Sequence, residues 1–377
     1  MERFIDQPLR PRPHLAVLFY DSIGDFVVST PLLRGLREKY PGCTIDYFSG
    51  ERTAELEAAS RLLDSRYSLF GVPNGLAALP DYVAERVRAA GPYDLAVNCE
   101  AHPATRLALQ ILQPRYVVGP AYTPDLRSEL PYPPTRVDAL HGEVWNAADL
   151  LERYGDVLHS QYIGEILCRL ARVETDYWRT EVPETPPPFA TPPVLIATGA
   201  NRSAKVWPGV YWREVVAWCE RHGWTVGLLG SRPAEQARYY HSVDLETQLL
   251  AETALVDLRG RLTLPEVAGA LRRARLCVTI DNGIMHLAAA VGTPTVAIFG
   301  ASPHRLWAPR APNVTVLLPL EPCGRCEENR YRNAACLLPE HQCMLSQRPE
   351  RVIAAMAAAL GVEAPAPPCN RAGGGLE

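Results

Sequence analysis

Long apolar runs are what this 377-residue sequence most plainly lacks. The longest, Leu287 to Gly300, is broken by Gly292 and Pro294 and falls short of the roughly 20 residues that a membrane-spanning helix needs. The run from Leu15 to Tyr20 is too short for the core of a secretory signal. An excess of charge is missing as well: 38 basic against 42 acidic residues leave a formal net charge of -4, which argues against a general nucleic-acid surface. Overall balance still permits a local anion site, because net charge governs long-range steering and not the contents of a pocket. Both common phosphate-loop signatures are absent, the Gly-Lys-Ser/Thr loop and the Gly-x-Gly-x-x-Gly fingerprint. The expectation is a cytoplasmic protein without a nucleic-acid partner.

What the chain does contain is an ordinary globular composition, 47% hydrophobic, over a length that suits two domains, each able to bury its own core. Short β-rich apolar runs alternate with longer amphipathic stretches. Strands are expected at His14 to Tyr20, Thr44 to Phe48, Leu95 to Asn98 and Tyr116 to Gly119, with helices between them. This alternation predicts an α/β fold with parallel sheets covered by helices on both faces. It stops at Pro183, Pro186, Pro187, Pro188, Pro192 and Pro193, where fixed φ angles and missing donors suit an extended linker. It restarts with strands Val194 to Ala197, Thr225 to Leu229, Leu276 to Ile280 and Thr295 to Phe299, and helices Tyr211 to Arg221, Leu264 to Ala274 and Ile284 to Ala290. The division is therefore a first Rossmann-like domain over 1–182, a linker over 183–193, a second such domain over 194–362 and a disordered tail over 363–377. Gly373 to Glu377 reads as an expression scar.

In open α/β sheets ligands bind beyond the carboxyl ends of the strands, so the strand-to-helix loops carry the chemistry. The first is Asp21-Ser22-Ile23-Gly24-Asp25. Gly24 allows a tight turn, and the positive end of the following helix keeps Asp25 ionised and ready to accept a proton. The alternative is that Asp25 merely caps that helix. Pro31, inside the same stretch, points to a kink or a later helix start. The second loop, Thr198 to Pro208, offers small residues, hydroxyls and the Lys205 ammonium, which suits a diphosphate, unless Lys205 is a solvated surface charge. In the third, Asp281-Asn282-Gly283-Ile284-Met285-His286, the helix start presents free amides to an anion, with His286 one turn in. His286 could equally be a satisfied structural residue; Asp281 caps the helix or holds ribose hydroxyls.

Six of the ten cysteines are scattered singly, the usage of a reduced compartment. Cys323, Cys326, Cys336 and Cys343 instead share one loop over 323–343, enough thiols for a closed structural metal site, although the second pair is spaced more loosely than in a zinc ribbon. Free or disulfide-prone thiols are the alternative. In either case the loop is assigned to scaffolding and not to bond making.

Ser22-Ile23-Gly24-Asp25 with Thr30-Pro31-Leu32-Leu33, then Lys205-Val206-Trp207-Pro208, then Asp281 to Gly300, together resemble glycosyltransferase family 9, the ADP-heptose heptosyltransferases. The resemblance implies a GT-B architecture, two facing Rossmann-like domains with a central cleft, and inverting transfer from an ADP-sugar donor without a catalytic metal. It makes Asp25 the base and places Lys205, Asp281, Asn282, Gly283 and His286 at the nucleotide. Thr198 and Gly199 come near the diphosphate, Glu235 at the ribose and Leu262 at the nucleobase. The acceptor it implies is a lipopolysaccharide-type glycan or glycolipid, with a protein or small molecule as alternatives, and peripheral membrane contact is compatible with it. Related protein O-heptosyltransferases bind iron, so zinc or iron at the four cysteines is the implied structural metal. Asn282 and Asp21 depart from the family pattern. The loops around Glu100, His102, Arg106 and His141 match only loosely; Arg106 and His102 read as a solvated charged face, with contact to acceptor or sugar as the alternative. Other readings are a transferase of a natural-product or protein O-glycosylation pathway using another nucleotide sugar, and a nucleotide-sugar 2-epimerase.

Overall fold

A computed structural model of the chain describes residues 1–73, 75–321 and 323–363. The proposed tail beyond Glu363, including Gly373 to Glu377, lies outside the described residues. Two six-stranded sheets organise the rest. The first contains β1 (Glu2–Arg3), β2 (His14–Leu18), β3 (Thr44–Gly50), β4 (Ser65–Phe70), β5 (Leu95–Asn98) and β6 (Tyr116–Val118), in the order β1-β6-β5-β2-β3-β4. The second contains β7 (Val194–Ala197), β8 (Val226–Leu228), β9 (Val256–Asp257), β10 (Leu276–Ile280), β11 (Thr295–Ile298) and β12 (Val314–Leu317), in the order β12-β11-β10-β7-β8-β9. Pairing within both sheets is parallel, for instance Leu15 with Leu95 and Cys277 with Leu195. That requires both faces to be covered, and Leu15, Ala16, Val17 and Leu18 are accordingly all inaccessible to solvent. In each sheet the strand order reverses once, between β2 and β5 and between β7 and β10. Those reversals place the three loops singled out above at the topological switch points, where α/β sheets leave a crevice.

The helix Ile23–Lys39 continues through Pro31 without a break. The missing Pro31 N–H deprives the Val27 carbonyl of its usual donor, and the Thr30 hydroxyl replaces it at 2.7 Å. This helix is buried from Phe26 to Leu36 because it packs on Ile163–Leu170 of its own lobe and on Gly283–Ala290 of the second. One continuous apolar cluster therefore joins Leu32 and Val97 of the first lobe to Ala197, Leu229 and Leu287 of the second. Two glycines set how closely the helix starts meet. A Cβ on Gly283 would lie 2.7 Å from the Ile23 side chain, and one on Gly24 would lie 3.2 Å from the His286 ring.

Residues 183–193 carry neither helix nor strand. They are pinned all the same: Thr185 N–H donates to Pro265 O at 2.9 Å, and the Thr185 carbonyl fills the space where a Cβ on Gly269 would sit. The cysteine loop docks on the Lys205 loop, with Arg202 donating to Tyr331 O at 3.0 Å and to Asn333 O at 3.1 Å, and Ala204 N–H to Ala334 O at 3.1 Å.

Candidate active site

Three cavities run in series along the gap between the lobes. A nucleoside-sized one of about 670 Å³ is lined by Gly199, Glu235, Leu262, Asn282 and Gly283. It shares Ile23, Arg52, Tyr239 and Tyr240 with a central cavity of about 600 Å³, which adds Asp25, Arg202, Lys205, Asp281, His286 and Arg330. Asp25, Leu306 and Trp307 then lead from the central cavity into a third, of about 630 Å³, most of whose lining comes from the first lobe. Asp25 thus stands at the junction of two chambers.

Ser22 caps the helix that carries Asp25, accepting from Asp25 N–H at 3.2 Å, while its own hydroxyl donates to Asp25 Oδ2 at 2.6 Å. Asp25 is three residues inside the cap and is not the cap itself. Burial pushes its pKa up to about 7, opposed by the Ser22 hydrogen bond and reinforced by the Glu100 carboxylate. The helix start therefore does not keep it fully ionised at neutral pH, because losing water outweighs the field of the helix end. Asp21 accepts Arg52 N–H at 2.8 Å, and Gly50 leaves it room, since a Cβ there would come within 2.3 Å of the Asp21 carboxyl carbon. That contact holds the Arg52 loop, and the Arg52 guanidinium reaches across the gap to the Tyr240 hydroxyl at 2.9 Å. The departure at Asp21 has this structural account.

Lys205 Nζ lies 2.8 Å from Asp281 Oδ2. Burial alone would raise the Asp281 carboxyl, but the Lys205 ammonium and a Ser302 hydrogen bond hold it below its ordinary range. Burial pushes His286 down to about 4, with Asp281 opposing and Lys205 assisting, so its ring is neutral at pH 7. The Asn282 side chain accepts from Ile284 and Met285 N–H at 3.0 and 3.2 Å while donating to Ala197 and Gly199 carbonyls at 3.3 and 3.2 Å. An amide can do both, which accounts for Asn282. The Ile284 amide is consequently engaged and not free for an anion.

Thr198 is the expected site residue that the structure removes from the cleft. It is buried, donates to Glu246 Oε1 at 2.6 Å and lines none of the three cavities. Glu246 also receives Gln236 at 2.6 Å and Arg259 at 3.2 Å, so Thr198 belongs to a polar network beside the cavity lined by Glu235, Gln236 and Leu262. Arg106 lines the third cavity with Glu100 and His141, its Nε buried, so it is more than a solvated surface charge, whereas His102 caps the helix Pro103–Leu112 by accepting from Ala104 N–H at 3.0 Å. Arg52, Tyr239, Tyr240, Trp307, Arg330 and Tyr331 were not singled out in the sequence. For Arg52 a usable signal was present, its position just past a strand's carboxyl end; for the others there was none. Cys323, Cys326, Cys336 and Cys343 are all unpaired thiols. Burial, reinforced by the neighbouring thiols, pushes Cys326 and Cys343 upward, the latter to about 12. Among the described residues, however, no three His, Cys, Asp or Glu side chains converge as metal ligands.

Two facing parallel-sheet lobes with a cleft at both switch points are the GT-B architecture. The family model for glycosyltransferase family 9 (heptosyltransferase) matches residues 144–336, just over half of the sequence, and the chain belongs to that family. It is 23% identical to lipopolysaccharide heptosyltransferase 3 of Escherichia coli over 310 residues, covering 77% of this chain and 84% of that protein. Its fold is shared with a family 9 glycosyltransferase from Veillonella parvula, at TM-score 0.67 and 19% identity over 92% of this chain and 97% of the other. It is likewise shared with the ADP-heptose heptosyltransferase II of E. coli, at TM-score 0.63 and 17% identity over 92% and 98%.

Proposed function

We propose that this glycosyltransferase moves a heptosyl group from an ADP-heptose donor to the hydroxyl of a lipopolysaccharide-type glycan, with inversion and without a catalytic metal. The observation that carries the reading is the position of Asp25, on the wall shared by a cation-lined cavity and a separate chamber of comparable size. With the nucleoside in the cavity of Gly199, Glu235 and Leu262, the diphosphate falls among Lys205, Arg52 and Arg330. The anomeric carbon then comes to the junction. A hydroxyl arriving from the far chamber attacks the face opposite the leaving diphosphate as the glycosidic bond loosens, through an oxocarbenium-like transition state. Asp25, ionised above about pH 7, takes the proton. Charge growing on the diphosphate is met by Lys205, by the Gly283 amide and by neutral His286 acting as a hydrogen-bond partner, all held in place beforehand.

The four thiols are soft donors suited to zinc or iron, but among the described residues their side chains do not converge as a metal site. The loop's role is to brace the Lys205 loop from behind and to bring Arg330 and Tyr331 to the central cavity. The chemistry is proposed for the cytoplasm, in keeping with thiols left unpaired. No helix among the described residues is long and apolar enough to cross a membrane. A thermal-shift comparison of ADP, GDP and UDP tests the donor: ADP is expected to stabilise most, and equal stabilisation by all three would remove the heptose reading.

A further inference from the structure

The chamber beyond Asp25 has about 630 Å³, the size range of a pocket that encloses one small molecule or a few sugar atoms at a chain end. Its walls include Phe19, Val97, Trp145, Ile163, Leu167 and Trp307, flat or aliphatic surfaces suited to the C–H face of a ring. Its charges are opposite in sign to those of the neighbouring donor cavity. Three carboxylates, Asp25, Glu100 and Glu129, face a single guanidinium, Arg106, whose Nη1 lies 3.7 Å from Glu129. The other basic side chain on the wall, His141, stacks on Tyr132 at 4.3 Å and is neutral at pH 7, burial and the nearby Arg3 guanidinium holding it at about 4. Arg106 Nε is buried without a hydrogen-bond partner among the described residues, a donor awaiting an oxygen.

Resting on the transferase reading above, we propose that the group seated beside Asp25 is an uncharged, hydroxyl-rich ring, a neutral pyranose or its close equivalent, and not an anionic sugar. Carboxylates accept hydrogen bonds from paired hydroxyls, Arg106 Nε donates to a ring oxygen or hydroxyl, and the tryptophans take the apolar face. A carboxylate or phosphate in the same space would meet Glu100 and Glu129 with one already engaged cation on the wall to offset them, the Arg3 guanidinium being stacked on Tyr132 and hydrogen-bonded to the Gly119 and Leu130 carbonyls. It would also raise Asp25 further and leave the base protonated at neutral pH.

Saturation-transfer difference NMR on the full chain with saturating ADP tests this, using methyl gluco-, galacto- and mannopyranosides against their matching uronates. At least one neutral glycoside is expected to saturate with a Kd lower than that of its uronate by about tenfold or more. Exchanging both Glu100→Gln and Glu129→Gln narrows the gap to about threefold or less, a result that loss of fold would not produce. Trp145→Phe retains the neutral glycoside and Trp145→Ala loses it. Uronates binding as well as their neutral partners in every configuration, or no saturable signal from either series while ADP still shifts the melting curve, overturns the inference and leaves the donor reading standing. Failure of ADP itself to stabilise the protein counts against the donor reading and not against the chamber.

Discussion

The cavities assigned to the donor and the chamber assigned to the acceptor are neighbours of similar volume built by different rules. The donor side is made from short loops at strand ends, each contiguous in sequence, and collects the cations Arg52, Lys205 and Arg330. The acceptor side has one such loop, Val97 to Ala101, and otherwise gathers scattered residues from Phe19 to Leu170, joined by Leu306 and Trp307; it is largely apolar and weakly acidic. On the proposed reading, the difference is functional in origin. A diphosphate is the same anion in every donor of its kind and calls for fixed loops, whereas an acceptor is recognised by the shape of a wall that many elements can supply.

The contrast is broken most directly at the residue both chambers share. Asp25→Asn is expected to lower the single-turnover transfer rate by about 10²–10⁴-fold while ADP binding stays within about twofold. The same substitution has a stability consequence of definite sign. The folded-state pKa of Asp25 lies above the ordinary carboxylate value, so the folded protein holds this proton more tightly than the unfolded chain does. Stability is full below about pH 4 and declines as pH rises through about 7, so Asp25→Asn should raise the melting temperature at pH 8 and leave it unchanged at the acid limit.

The donor side is sharpened by Lys205→Ala, which removes a phosphate contact and strands the Asp281 carboxylate beside the phosphate. Donor Kd should rise by about 10²-fold, measured by calorimetry, with a fall in melting temperature. Adding Asp281→Asn should recover the melting temperature but only part of the affinity. If the double variant binds ADP as the wild type does, the phosphate assignment fails. A smaller effect is expected at Gly283→Ala, whose added Cβ meets Ile23 and pushes the two helix starts apart; transfer should fall by about tenfold with the melting temperature little changed. The smallest is at Thr198→Val, which should cost about 1–2 kcal/mol of stability through the loss of one of several hydrogen bonds to the buried Glu246 carboxylate and leave the donor Kd unaltered.

Legibility in the sequence followed the same division. Strands of continuous apolar residues were found to within a residue or two, and Leu95–Asn98, Val194–Ala197 and Leu276–Ile280 with both ends in place. Glu2–Arg3, Ser65–Phe70, Val256–Asp257 and Val314–Leu317 were missed because outer strands are short or only partly buried and lose the apolar signal. Pro31 misled because its compensation is a side-chain hydroxyl one residue away. Asp25, Lys205, Asp281, Gly283 and His286 do share one cavity, since each is fixed by a local motif at a switch point. Thr198 sits in the same motif, but its hydroxyl is claimed by Glu246, 48 residues on, which local pattern does not display. Trp307 and Tyr240 reach the cleft only through the packing of one lobe on the other.

The central claim is that a half-buried carboxylate at the meeting point of two chambers removes the acceptor proton. Its most direct test is the single-turnover rate of sugar transfer from ADP-heptose as a function of pH, for the wild type and Asp25→Asn. The wild-type rate should climb with one ionisation near pH 7 to a plateau, and the variant should be slow with no such step. A variant that keeps the wild-type rate, or the same step near pH 7, contradicts the account.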